Sequence, residues 1–148
     1  MKKFGFILCL LFLVACQKNG INRVITAENT KPFQKQEIPE NQSLIALPII
    51  NFENASFHNI LLKTAEKPHI HAKHDLAVYV LKGSSWIYLN DKKIELFPGD
   101  FVVIPRGTKH WAVNTGKEPA EVLAVFSPPF DGKDVVPVAE PKPIDNEK

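Results

Sequence analysis

Turn residues constrain this chain more than any other feature. The apolar stretch 76–81 stops at Gly83, the stretch 86–89 at Asn90, Asp91 and Lys92, and 94–97 at Pro98, Gly99 and Asp100. The stretch 101–104 stops at Pro105, Arg106 and Gly107, 110–114 runs into Thr115 and Gly116, and 122–126 ends before Pro128 and Pro129. A further strand is predicted over 57–63. Short β-branched and aromatic runs, broken by glycine or proline at intervals of roughly 8–12 residues, predict an all-β sandwich or barrel. No segment between them is long and periodic enough for a crossover helix, which argues against a parallel α/β sheet. Twelve prolines spread along the chain exclude a long helical bundle or coiled coil. A length of 148 residues points to a single domain.

Residues 1–15 are a separate case. Lys2 and Lys3 precede an apolar run from Phe4 to Ala15, shorter than the roughly 20 residues that span a bilayer as a helix. A basic start, a short apolar stretch and a small residue before the cut describe a secretory signal peptide. Its end, Leu13, Val14, Ala15 and Cys16, resembles the bacterial lipobox. That resemblance implies cleavage after Ala15, a diacylglycerol on the Cys16 thiol and acylation of the new amine. Two or more acyl chains hold a protein stably to a bilayer, so the expected location is the cell envelope. Gln17 stands where an aspartate would favour retention at the inner membrane. For a Gram-negative source the resemblance therefore implies the outer membrane, facing the periplasm.

Loss of Lys2 and Lys3 takes the basic count from 18 to 16, equal to the 16 acidic residues. The formal +2 of the whole chain thus belongs to the leader. A neutral mature chain without an aromatic-basic stripe argues against nucleic acid as a partner, and membrane contact is expected through the lipid anchor only. Cys9 departs with the leader and Cys16 is modified, so no disulfide is expected. Residues 16–42 read as a flexible polar tether and 43–136 as the folded body. Residues 137–148, with Pro137, Pro141 and Pro143 among charges, read as a disordered tail.

Four of the five histidines fall in two places: His69, His71 and His74 lie together, and His110 lies downstream. On a strand, positions i and i+2 share a face, so His69 and His71 present two imidazoles side by side. A third imidazole from another strand would close a metal site. Around His110 the spacing becomes specific. Gly99, Pro105, Gly107, His110 and Asn114 follow the pattern G, five residues, P-x-G, two residues, H, three residues, N. This is similar to the second conserved motif of the cupin superfamily. His69 and His71, followed by Gly83, resemble the first motif, and fifteen residues separate Gly83 from Gly99. The resemblance, to a single-domain type-2 cupin, covers about residues 56–127. It implies a double-sheet, jelly-roll-like β-barrel with one divalent ion (iron, manganese or zinc) held by His69, His71 and His110.

The first cupin motif usually supplies a glutamate as well. With three residues intervening after His71 that position falls on Asp75, and with four on Leu76. A pleated strand sends these two to opposite faces. Either Asp75 reaches in as a further ligand through a local bulge, or the carboxylate is missing; His74 reads as a loop residue or as a substitute ligand. Three neutral imidazoles leave a divalent ion its full charge, which attracts an anionic substrate or hydroxide. The rows Phe101/Val103 and Trp111/Val113 are expected to pack around this polar centre, with Tyr79 and Trp111 in the core. Arg106 reads as a loop charge or as a fork for a substrate carboxylate. Asp131 and Asp134 read as turn-formers in a loop that could cap the barrel mouth, and His58 receives no role.

Two function classes stay open. One is a metal-dependent enzyme acting on a small oxygen- or carboxylate-bearing molecule; the other is a non-catalytic module that binds a small ligand or metal. Both take a small-molecule partner, both are compatible with a homodimer, and no catalytic or substrate-binding residue is assigned.

Overall fold

The structure, a computed structural model, describes residues 37–139 and two short strands before them, β1 (Arg23–Ile25) and β2 (Thr30–Pro32). The predicted leader, Cys16 and residues 140–148 lie outside the described residues. The chain divides into two units, Met1–Phe33 and Gln34–Lys148. In the first, β1 and β2 pair antiparallel with Arg23 opposite Pro32, inside the stretch predicted as a tether.

The second unit is all-β. Its strands are β3 (Leu44–Asn51), β4 (Ser56–Leu62), β5 (His69–His71), β6 (Asp75–Lys82), β7 (Ser85–Leu89), β8 (Lys92–Leu96), β9 (Phe101–Ile104), β10 (His110–Asn114), β11 (Ala120–Ser127) and β12 (Val135–Pro137). They form two five-stranded sheets, ordered β3-β4-β11-β6-β9 and β12-β5-β10-β7-β8, with every neighbour pair antiparallel. This is the expected double-sheet barrel.

Leu76, Val80, Ile87, Leu96, Ile104, Ala124 and Phe126 form the buried core. Burying side chains of this kind stabilises by about 1.5–3 kcal/mol each for the larger ones. Alternation along β6 and β9 decides which residues reach it. Leu76 and Val80 point inward, so Tyr79 points outward and is 40% exposed. Likewise Val102 and Ile104 face the core, while Phe101 and Val103 are 63% and 60% exposed. The expectation that Phe101 and Val103 surround the polar centre is therefore corrected by one residue. Trp111 and Val113 are corrected in the same way, because His110 and Ala112 take the inward positions of β10. Trp111 stacks on Tyr88 of the neighbouring strand, with ring centroids 4.3 Å apart.

Two prolines mark sheet edges. Pro48 lies inside β3, an edge strand whose register shifts between Pro48 and Ile50. Pro137, predicted to open the tail, completes the edge strand β12 opposite His69. The Val138 amide then donates to the Pro68 carbonyl at 3.0 Å. A missing N–H is tolerated at an edge, where a ladder partner is absent on one side.

Candidate metal centre

Antiparallel pairing sets His110 of β10 directly opposite His69 of β5. His71, two residues along β5, falls on the same face. The ring centroids are 4.3 Å apart for His69 and His110, 5.1 Å for His69 and His71, and 5.3 Å for His71 and His110. One ring nitrogen from each lies within 4.8 Å of the others. His71 and His110 are buried and His69 is half-buried.

The other ring nitrogen is tied down in all three. His69 Nδ1 lies 2.8 Å from the Lys67 carbonyl, His110 Nδ1 2.9 Å from the Thr108 carbonyl, and His71 Nδ1 3.2 Å from Asp134 Oδ1. A carbonyl only accepts, and an ionised carboxylate only accepts. The partners therefore assign the proton to Nδ1 in each ring and leave the Nε2 lone pair free. Metal-ligating histidines are oriented in this way. Burial pushes the His110 imidazole down to about 4, helped by the neighbouring His69 and His71 and opposed by the Thr108 carbonyl. Burial also lowers His71, against the pull of Asp134. Both rings are held in the neutral form a metal requires, so this donor set fits a divalent transition metal.

The three histidines face a cavity of about 80 Å³ between the sheets, walled by Leu76, Val102, Ile104 and Phe126. Glu66 enters the same cavity. Residues 64–66 run beside β10: Ala65 bridges Val113, and the Asn114 amide donates to the Thr64 carbonyl at 2.7 Å. Burial raises the Glu66 carboxyl, while His69 and the Ala112 N–H act against that rise. Sequence reasoning missed Glu66. It sits in a loop among charged neighbours, and nothing in its spacing sets it apart from Lys63 or Lys67.

Asp75 is not brought to this group. It forms a forked pair with Arg106, Nη2 to Oδ2 at 2.6 Å and Nε to Oδ1 at 3.1 Å, and also accepts the Arg106 amide at 2.9 Å. These bonds hold its carboxyl down at about 2. The pleat supplies the reason, since it sends Leu76 into the cavity and Asp75 to the surface. Arg106 is thus occupied by Asp75.

His74 belongs to a second group, with His71 and Asp134. Its Nδ1 meets Asp134 Oδ2 and its Nε2 lies 3.1 Å from the Pro129 carbonyl. Asp134 also accepts the Lys73 amide at 3.1 Å. Burial disfavours the Asp134 charge, but these donors and His71 outweigh it and bring the carboxyl to about 2. Both histidines contact the one carboxylate at hydrogen-bond range, so this group reads as a hydrogen-bond cluster beside the first. Asp134, expected as a turn-former, has this additional role. His58 is also buried; its Nε2 lies 2.9 Å from Ser56 Oγ, and its ring packs edge-on against Phe126.

Residues 59–126 match the family model for the Cupin domain. An uncharacterised protein of Aquifex aeolicus (strain VF5) is 47% identical over 85 residues, covering 57% of this chain and 69% of that protein. An L-ectoine synthase of Bordetella petrii is 37% identical over 83 residues, covering 54% of this chain and 62% of that enzyme. The match thus spans less than two thirds of the ectoine synthase. Among solved structures, KdgF from Halomonas sp. superposes with a TM-score of 0.58 at 26% identity, covering 65% of this chain and 86% of KdgF. The family match takes in Glu66, His69, His71 and His110, and ends before Phe130 and Asp134.

Proposed function

Because the chain belongs to the cupin superfamily, we propose that it binds one divalent metal ion through His69, His71 and His110 and acts there on a small oxygen- or carboxylate-bearing molecule. The observation that carries this reading is the set of three Nδ1–H anchors, which leave three lone pairs directed away from their own backbone acceptors and from Asp134. Bound there, the ion would supply Lewis acidity toward a substrate oxygen. Glu66 supports an enzymatic rather than a storage role, because it places a carboxyl raised by burial beside the imidazoles. A carboxyl so placed can hold or accept a proton beside a bound substrate. Leu76 and Ile104 give the same space an apolar wall. The similarity to an L-ectoine synthase supports catalysis in the shared stretch.

A second reading, a non-catalytic small-ligand or metal-binding module, draws on Leu76 standing where a further carboxylate ligand would be. Elemental analysis of the natively purified protein tests the common premise. About one iron, manganese or zinc per chain, lost in His110→Ala, supports the centre; a wild type that binds none of these removes it. A screen of small anions, sugars and thiols with the metal-loaded protein separates the two readings. Turnover abolished by Glu66→Gln favours the enzyme, and tight binding without turnover favours the module.

The location belongs to the same proposal. Lys2, Lys3, the apolar run and the Leu13 to Cys16 sequence support a lipid anchor on Cys16, in the outer membrane facing the periplasm if the source is Gram-negative. Cys16→Ser should move the protein out of the membrane fraction. Unchanged partition would sink this part.

A further inference from the structure

Beyond the end of the family match, the chain leaves β11 and returns across β5. Phe130 stacks on Phe126 with ring centroids 4.5 Å apart and meets the edges of His71 and His74 at 5.4 and 5.5 Å. Its amide donates to Ser56 Oγ at 2.9 Å. β12 then pairs with β5, setting Val135 opposite His71 and Pro137 opposite His69. Asp134 lies just before β12 and is 4% exposed. Its backbone carbonyl accepts the Ala72 amide at 3.2 Å, so backbone and side chain are both fixed.

The three histidines differ in how they are anchored. His69 and His110 each bond a carbonyl two residues earlier in their own segment. Their orientation is therefore a local property of β5 and β10. His71 bonds a carboxylate 63 residues away. The same carboxylate is steadied by His74 and by the Lys73 amide on its other oxygen.

From this juxtaposition we infer that Asp134 is a positioning residue of the metal centre: it holds the His71 ring through Nδ1–H so that Nε2 faces the ion, and His74 keeps the carboxylate in place. The inference rests on the three-histidine metal reading given above. A carboxylate partner both fixes the ring and makes it a stronger donor, and loss of such a partner lowers metal affinity by about 10–100-fold. The strap that carries Asp134 thus extends the site past the part of the chain shared with the family.

The test uses the full chain as wild type, Asp134→Asn and His74→Gln, each stripped of metal. Zn²⁺ and Co²⁺ are titrated against a competing chelator, the visible Co²⁺ spectrum is recorded, and apo stability is followed in urea. Asp134→Asn should weaken metal binding by about 10–100-fold and change the Co²⁺ spectrum. His74→Gln, which leaves the bond between Asp134 and His71, should weaken it less. Wild-type affinity and spectrum in Asp134→Asn overturn the inference, even if apo stability falls, because a purely structural carboxylate would behave that way. A wild type that binds neither ion overturns the metal reading, and this inference with it. Should Asp134→Asn fail to fold, the zinc-loaded wild type decides. Its ¹⁵N shifts should give Nε2 as the metal-bound nitrogen of His71 and Nδ1 as the protonated one; the reverse assignment overturns the inference.

Discussion

Glu66 and Ala112 are tied to each other twice. The Glu66 amide donates to the Ala112 carbonyl at 2.9 Å, and the Ala112 amide donates to Glu66 Oε2 at 2.9 Å. The carboxylate therefore stands in for a ladder acceptor on the strand that carries His110. Glu66→Ala leaves the part-buried Ala112 N–H without its acceptor and should destabilise the fold by about 1–3 kcal/mol. Glu66→Gln retains an acceptor oxygen and removes a carboxylate that burial disfavours, so it should be neutral or stabilising. Urea unfolding of the two variants checks this; equal losses would show that the acceptor is not what matters.

Asp75→Asn should leave metal content and affinity unchanged. Its carboxylate is engaged by Arg106 at the surface, and an exposed ion pair of this kind contributes little to stability. Elemental analysis after purification reads the outcome. Loss of metal in this variant would return Asp75 to the ligand set.

Gly83 has φ of 80°, and a Cβ there would sit 3.0 Å from the Ala120 Cα. Gly107 has φ of 77° with open space around it. Gly107→Ala should cost only the left-handed backbone penalty of about 1–2 kcal/mol. Gly83→Ala should cost that and a further 1–3 kcal/mol or so from overpacking against backbone. Thermal melts of the two variants give the comparison directly, and equal melting temperatures would rule out the steric account.

Burial lowers the His58 imidazole from its ordinary 6.5. As pH falls, the unfolded chain takes up this proton before the folded one does. The contribution of neutral His58 is therefore complete above about 6.5 and is lost progressively as pH falls toward the lower folded value. Metal-free His58→Gln should lose less unfolding free energy than wild type between about pH 7.5 and about pH 5. His71 and His110 titrate in the same direction in both proteins, so the difference belongs to His58. Parallel pH profiles would remove it as a contributor.

Much of this architecture is legible in turns and spacing. The strands at 101–104 and 110–114 have the bounds of β9 and β10. β3 is harder to foresee, because Pro48 interrupts its apolar pattern and is admitted only by the strand's place at an edge. Which residues face inward is ambiguous in Phe101, Val102, Val103 and Ile104, where all four are apolar and no alternation marks the core face. On β10 the inward His110 resolves that question, against the larger Trp111. The three histidines are brought together by an i, i+2 pair and one antiparallel register, both short-range rules. Glu66 and Asp134 arrive through contacts spanning 46 and 63 residues. No local pattern encodes such contacts, and both residues sit in loops where acidic side chains are ordinarily solvated.

Pro48 and Pro137 lie on two of the edge strands, β3 and β12, whose residues Leu44, Ala46, Val135 and Pro137 line a pocket with His69 and His71. A bare edge invites a foreign strand to zip onto it. Each of these edges carries a proline, a residue with no amide to donate and poorly suited to template a further strand. Strand addition is thereby discouraged along both edges that border His69 and His71.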